Sequence, residues 1–416
     1  MGLKNTNKKD KMRMGRSEKP PQIEKLEVKN YRVLRHLELS KLTPLTIFIG
    51  PNGSGKSTIF DVFAFLSECF TQPGGLRTAW EKRGRFKHLR SRGSTDPISI
   101  EIKYREKSDS PLITYHLEID ERERGPVVTS EWLQWKRSSW GRPFKFLDFS
   151  EGHGTVITGE NPDESAERQV ESLNSPETLA VATLGLFSKH PRVSALRDFI
   201  TRWHLSYLTA DNTRTTPAAG GQEHLSSTGD NLPNVIQYLM ERHPFVYEEI
   251  RQTLTSRIPR LSRIDAEIMG DTRLNLQIYD EPFKEPILAR FASDGTLKML
   301  AYLVLLNDPV PGSLIGIEEP ENQLHPLLLP HLAEEFHKAT SRTQLLVTTH
   351  SPALINEAKP EEVFSIYRDE DGYTRAERLS DIEELKGFLE EKIPLGDLWM
   401  ENFVPNSDPI TYSRYQ

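Results

Sequence analysis

The alternation of apolar and polar positions changes character several times along the chain. Ile23, Leu26 and Val28 before Asn30-Tyr31, with Leu34, Leu37 and Leu39 after it, give an imperfect period of two. That spacing predicts a pair of antiparallel strands around a turn. Leu45-Thr46-Ile47-Phe48-Ile49 is a short, β-branched apolar run and predicts a buried strand. Ile59, Val62, Phe63, Leu66 and Phe70 then recur at helical spacing. Ile98 to Tyr104 and Ile113 to Ile119 alternate strictly, as half-buried antiparallel strands do. Trp132, Trp135, Phe144 and Phe146 extend the hairpins to about residue 158.

From Asp163 the pattern turns mainly helical. Leu196, Phe199, Ile200 and Trp203 suit one helical face; Leu232, Val235, Ile236 and Leu239 suit another. Two strands interrupt this lobe, at 263–268 and 274–279. Later, Leu297 to Leu306 reads as a helix and Leu314 to Ile317 as a buried strand. Gln344 to Thr348 forms a second strand parallel to it, with Leu327 to Phe336 as the connecting helix. Asp369-Glu370-Asp371-Gly372 lies between two strand-like runs, so a hairpin turn is favoured there over a metal cluster. The class is α/β: a mixed sheet with an antiparallel β-layer and a helical lobe, as one unit over 22–416 made of an N-terminal β and phosphate-loop part (22–160), a mainly helical lobe (161–285) and a closing part (286–416). Residues 1–21 stand apart. Their first 20 positions hold seven Lys/Arg against Asp10 and Glu18, without apolar periodicity, and predict a disordered basic tail.

Chemistry enters at Ile49 to Thr58, Ile-Gly-Pro-Asn-Gly-Ser-Gly-Lys-Ser-Thr. Gly50, Gly55, Lys56 and Ser57 fit the phosphate-loop pattern, between a strand and a helix as that pattern requires. Backbone N–H groups from Asn52 to Thr58, including Gly53 and Ser54, would face a polyphosphate at a helix N-terminus. Lys56 would supply charge to the β- and γ-phosphates, and the Ser57 hydroxyl a ligand for Mg²⁺. The expected ligands are therefore a nucleoside triphosphate, which the resemblance described below makes ATP, and Mg²⁺. The Leu314–Ile317 strand ends in Glu318 and Glu319: the first would hold the metal, and the second would polarise the attacking water. His350 follows the second strand, at the carboxyl edge where ligands bind in open α/β sheets, placed to sense the γ-phosphate. Ser293 and Gly295 precede a helix; taken alone they are a capped helix start.

Composition narrows the class. With 36% hydrophobic and 27% charged residues, the 416-residue chain reads as a polar globular protein of one large or two ordinary domains. No apolar run approaches the ~20 residues of a membrane span. The lone cysteine, Cys69, excludes an intramolecular disulfide and points to a cytoplasmic setting. The net charge of -7 conceals a basic run over 77–92 (Arg77, Lys82, Arg83, Arg85, Lys87, Arg90, Arg92) with Trp80 and Phe86 among it. Such a run is either a solvated face or a track for a nucleic-acid backbone.

Taken in order, Gly50–Thr58, Ser293-Asp294-Gly295, Ile317-Glu-Glu-Pro-Glu-Asn-Gln-Leu-His-Pro326 and Thr349-His-Ser-Pro resemble an ABC-type ATPase head of the RecF/SMC/OLD branch. They look most like the compact AAA-family ATPases of bacterial antiphage systems; Asn30-Tyr31-Arg32 and Gly396-Asp-Leu-Trp add to the likeness. The resemblance implies a homodimer or higher oligomer that sandwiches ATP, with Ser293 and Gly295 of one subunit contacting the γ-phosphate held by Lys56 of the other. It also implies a separate effector, a nuclease in the first instance. No Q-loop glutamine is assigned, Gln134 being a weak candidate. About 260 residues between phosphate loop and carboxylate strand are too few for long coiled-coil arms at ~1.5 Å per residue. The rival readings are a RecF-like DNA-repair clamp and an ATP-dependent scaffold with little turnover.

Overall fold

The structure is a computed structural model that describes residues 20–407, apart from 108, 137–141, 164 and 282. All but two residues of the 1–21 tail therefore lie outside the described residues. Strands β1 (Gln22–Tyr31) and β2 (Leu34–Ser40) pair antiparallel and lead into β3 (Leu45–Ile49). The phosphate loop follows, then α1 (Lys56–Thr71), α2 (Gly75–Lys82) and α3 (Arg85–Leu89). A meander comes next: β4 (Ile98–Arg105), β5 (Leu112–Arg122), β6 (Gly125–Lys136), β7 (Phe144–Ser150), β8 (His153–Ile157) and β9 (Arg168–Ser172). With β1 and β2 it makes an eight-stranded sheet. The antiparallel layer is thus larger than its opening hairpin, and β9 carries it past residue 160 into the lobe expected to be helical.

Helices α4 (Ala180–Leu184) and α5 (Pro191–Thr201) precede β10 (Trp203–Ser206), and α6 (Ala210–Thr213), α7 (Leu232–Arg242) and α8 (Pro244–Arg257) follow it. A three-stranded sheet, β11 (Leu261–Ile268), β12 (Leu274–Asp280) and β13 (Ile287–Leu288), closes the lobe. Then come α9 (Asp294–Leu306), β14 (Leu314–Glu318), α10 (Leu329–Ala339) and β15 (Gln344–Thr348). After α11 (Pro352–Ile355), β16 (Val363–Arg368) and β17 (Thr374–Arg378) form a hairpin. Gly372 sits in its turn at φ 80°, with its N–H donating to Asp369 O at 2.9 Å.

The central sheet runs β10-β14-β15-β3-β16-β17, parallel from β10 through β16. Its inner strands β3, β14 and β15 are buried on both faces, and the side chains of the sheet alternate between two cores. Phe48, Leu314, Leu346, Phe364 and Ile366 join the core shared with α1 and the eight-stranded sheet. Ile47, Ile49, Ile315, Ile317, Leu345 and Val347 join the core beneath α9 and α10. Trp203 corrects one expectation. It does not continue the helical stripe of α5, which stops at Thr201; it begins β10, paired parallel with Leu314. Its ring packs edge-on against Phe63 and Phe199, with centroids 5.3 and 5.7 Å away.

Candidate active site

The carboxyl ends of β3, β14 and β15 meet at one edge of the central sheet. The phosphate loop leaves β3 through Gly50 at φ 142° and enters α1 through Gly55 at φ 112°, conformations that a side chain resists. A β-carbon on Gly50 would lie 2.0 Å from Ile366 O, and one on Gly55 would lie 2.2 Å from Thr374 Oγ1. The β16–β17 hairpin therefore braces the loop from behind, and Thr374 Oγ1 donates to Ser54 O at 2.7 Å. Gly53, at φ 76°, has nothing within 4 Å of its β-carbon position and faces outward. Asn52 and Gly53 are exposed, whereas Ser54 is buried with an Oγ that has no partner.

Lys56 is buried, and its Nζ donates to Gly50 O at 2.8 Å and Pro51 O at 3.0 Å. Burial pushes its pKa down, while Glu319, Glu321 and Glu318 pull it back up. Ser57 Oγ lies 3.3 Å from Glu318 Oε2, and Thr58 stands beside it in the first turn of α1. Glu318 is pushed above the usual carboxylate range by burial, opposed by the Ser57 hydrogen bond and reinforced by Glu319. A hydroxyl 3.3 Å from a carboxylate oxygen, with further acidic groups around it, is an all-oxygen donor set suited to a hard divalent cation.

Glu319 adopts φ 46°, a left-handed turn rare for a non-glycine residue. Its N–H donates to Thr348 O at 2.9 Å, which turns its carboxylate out of the strand line. Asn322 Nδ2 donates to Glu319 Oε2 at 2.9 Å, and His350 Nε2 lies 3.6 Å from Glu319 Oε1. His350 is depressed in pKa by burial first and by the Lys56 charge second. A neutral imidazole beside a carboxylate can accept or relay a proton. The residues singled out on three separate strands thus share one cluster.

Ser293 caps α9, its Oγ accepting from Thr296 N at 3.2 Å. Gly295 approaches Gln323 O, 3.2 Å from its β-carbon position. Ser293 is exposed and Gly295 half-buried against the loop that follows Glu319.

Two groups escaped the sequence reading. Glu321 accepts from His350 N at 2.5 Å and is pushed up by burial, with its second oxygen unpartnered. Lys298, buried on α9, donates to Asn322 O at 2.6 Å, and burial lowers its pKa to about 8. The available signals were a third carboxylate directly after Glu318-Glu319-Pro320 and a lone lysine in the apolar α9 stripe. Gln134 lies mid-strand in β6, opposite Thr114 and Lys145, in the antiparallel layer. The loop that leaves β10 beside Glu318 begins instead with Tyr207, whose phenol is pushed up to about 12 by burial and then by the Glu318 charge.

Only Arg83 of the basic run is buried; Lys82, Arg85, Lys87 and Arg92 are exposed, and Arg77 and Arg90 are half-buried in ion pairs. Arg83, 5% exposed, pairs with Asp61 at 2.9 Å and Glu68 at 2.5 Å, and Lys82 shares Glu68 at 2.6 Å. Arg77 pairs with Glu177 at 2.6 Å and Arg90 pairs with Asp120, while Arg85, Lys87 and Arg92 remain exposed.

The family described as "AAA domain, putative AbiEii toxin, Type IV TA system" matches residues 45–356. No curated protein matches the chain. Among solved structures, an Smc head bound to the C-winged helix domain of ScpA matches with TM-score 0.53 and 13% identity, over 86% of this chain and 98% of that one. An Smc head with an extended coiled coil, bound to the C-terminal domain of ScpA and derived from Pyrococcus furiosus, matches with TM-score 0.50 and 13% identity, over 89% and 99%. At such identities the likeness shows the fold: an ABC-type head. No helix among the described residues is long and apolar enough to cross a membrane.

Proposed function

This chain belongs to the AAA-domain family described as putative AbiEii toxin, Type IV TA system, and from that premise we propose that it is an ATP-hydrolysing head that closes as a homodimer and controls a separate effector. One observation carries the reading: Lys56, Ser57, Glu318, Glu319 and His350 converge at the carboxyl edge of the central sheet. The loop from Asn52 to Thr58 wraps the triphosphate with backbone N–H groups, and Lys56 exchanges its carbonyl partners for phosphate oxygens. Ser57 and Glu318 would hold Mg²⁺, which would supply charge neutralisation for the phosphates. Glu319, held by Asn322, takes the proton of the attacking water, and His350 hydrogen-bonds the γ-phosphate from the next strand. Ser293 and Gly295 complete the site of a second subunit.

An ATP-driven closure acts on something outside the head. The family description names a putative toxin of a toxin–antitoxin system. That suits a cytoplasmic defence role in which closure is read out by a partner, with a nuclease as the first candidate.

The test is a pair of variants. Lys56→Ala is expected to abolish ATP binding in calorimetry. Glu319→Gln is expected to bind ATP with native affinity while kcat falls by about 10²–10⁴-fold, the usual range for losing a general base. Wild-type turnover by Glu319→Gln at saturating ATP would remove Glu319 from the base role.

A further inference from the structure

Ser293 and Gly295 sit on a short turn, and the residues that hold this turn lie in none of the motifs above. Arg214 follows α6. Its Nη2 donates to Ala292 O at 2.7 Å and also to Asp294 Oδ1, so one guanidinium nitrogen grips the turn on both sides of Ser293. The side chain is 23% exposed, with Asp211 the other carboxylate near it, 3.6 Å away.

The same segment begins at the carboxylate cluster. β10 ends at Ser206, paired with Ile317, so Tyr207 leaves the sheet beside Glu318. Thr209 then caps α6, its hydroxyl accepting from Asn212 N at 3.3 Å, and Thr213 is fully buried. Midway, Ala210 N donates to Gln323 Oε1 at 3.4 Å. Gln323 belongs to the loop after Glu319, and Lys298 of α9 holds the neighbouring Asn322 O. Residues 207–214 therefore touch the carboxylate strand, the loop behind it and the Ser293 turn in succession.

We infer that Arg214 is a positioning residue that sets the Ala292–Gly295 turn for contact with a second subunit's nucleotide, and that residues 207–213 tie this setting to the carboxylate end of β14. The planar guanidinium fixes the direction of both bonds, with Nη1 left toward Asp211, whereas the flexible ammonium of a lysine would hold the turn less rigidly. The inference rests on the dimeric reading proposed above, because the turn takes no part in its own subunit's phosphate cluster. It also accounts for how a head without an assigned Q-loop glutamine couples its catalytic edge to its partner-facing turn.

The experiment uses the full chain in a Glu319→Gln background, which slows hydrolysis, and measures the ATP-dependent dimer dissociation constant by sedimentation. Adding Arg214→Ala is expected to weaken the dimer by about tenfold or more, as misplacement of a contact group does. ATP affinity of the dilute monomer should stay within about twofold, since the partners of Arg214 are Ala292, Asp294 and Asp211 rather than Lys56, Ser57 or Glu318. Arg214→Lys should recover part of the loss, and Asp294→Asn, which leaves the Ala292 bond available, should lose less than Arg214→Ala. A purely structural arginine would lower the melting temperature and ATP affinity together, without rescue by lysine, and that result would overturn the inference. An unchanged dimer constant would overturn it while leaving the dimeric reading intact. A Glu319→Gln protein that stays monomeric at saturating ATP would remove the dimeric reading and this inference with it.

Discussion

Glu131 is fully buried and carries no catalytic duty. It accepts from Tyr115 Oη at 3.0 Å, from Val181 N at 3.1 Å and from Ala180 N, pinning the start of α4 to β6. Burial still pushes its pKa up to about 7, against the pull of those donors. The native state therefore binds a proton that the unfolded chain releases near the ordinary glutamate value of 4.5. Stability from this group is full below that value and is lost as pH rises through about 7, by at most about 1.4 kcal/mol per pH unit. Urea midpoints measured between pH 5 and 8 should fall with pH, and Glu131→Gln should flatten the fall. An equal slope in the variant would show that another group titrates.

At this scale the phosphate loop was legible because it is contiguous: Gly50 to Ser57 state their geometry within eight positions. Glu318, Glu319 and His350 were legible because each ends an apolar run. Arg214 was not, since its partner Ala292 lies 78 residues away and no local pattern marks it; Lys298 showed only as a lone charge in the apolar α9 stripe, its partner Asn322 being 24 residues away.

The elements around α1 show how a basic segment acquires a structural role. Asp61 and Glu68 lie two turns apart on α1, and Arg83 spans both from the end of α2 while its guanidinium sits 5.3 Å from the Phe65 ring centroid. Tyr31 Oη donates to Asp61 Oδ2 at 2.7 Å, and Arg32 lies 3.1 Å from the same oxygen. The β1–β2 turn, the phosphate-loop helix and the basic run thus share one ionic cluster. Removing the arginine leaves two carboxylates without their buried partner, so Arg83→Ala should destabilise the fold by about 3–5 kcal/mol in equilibrium denaturation. A change below about 1 kcal/mol, typical of exposed pairs, would return the run to the solvated face or nucleic-acid track that its composition allowed.

Element-level reading failed where elements were short. β10 has four residues, too few to display a period, and its tryptophan sits at helical spacing from Leu196, Phe199 and Ile200. The strictly alternating β4 and β5 were plain because eight and eleven residues repeat the same inward-outward order.

For the whole molecule, an eight-stranded antiparallel sheet and a six-stranded, mostly parallel sheet enclose α1, while α9, α10 and the three-stranded lobe cover the opposite face. The sequence order of motifs already implied an ABC-type head. The extent of the antiparallel layer was hidden, because β9 joins it only after polar residues that end the alternation. The consequence for function is geometric. Lys56, Glu318, Glu319 and His350 gather at one sheet edge, whereas Ser293 is exposed at the start of α9. On the proposed reading, a site built from both groups takes two copies of the chain.

Mixing two disabled variants tests this most directly. Lys56→Ala removes the phosphate grip, Ser293→Arg blocks the opposing turn, and each alone should lose ATPase activity. In a mixed dimer, one of the two sites keeps Lys56 from one subunit and Ser293 from the other. Random pairing makes half the dimers mixed, so equimolar mixing should restore about a quarter of wild-type turnover if the sites are shared across a two-fold interface. A mixture no more active than the sum of its parts would contradict the composite site.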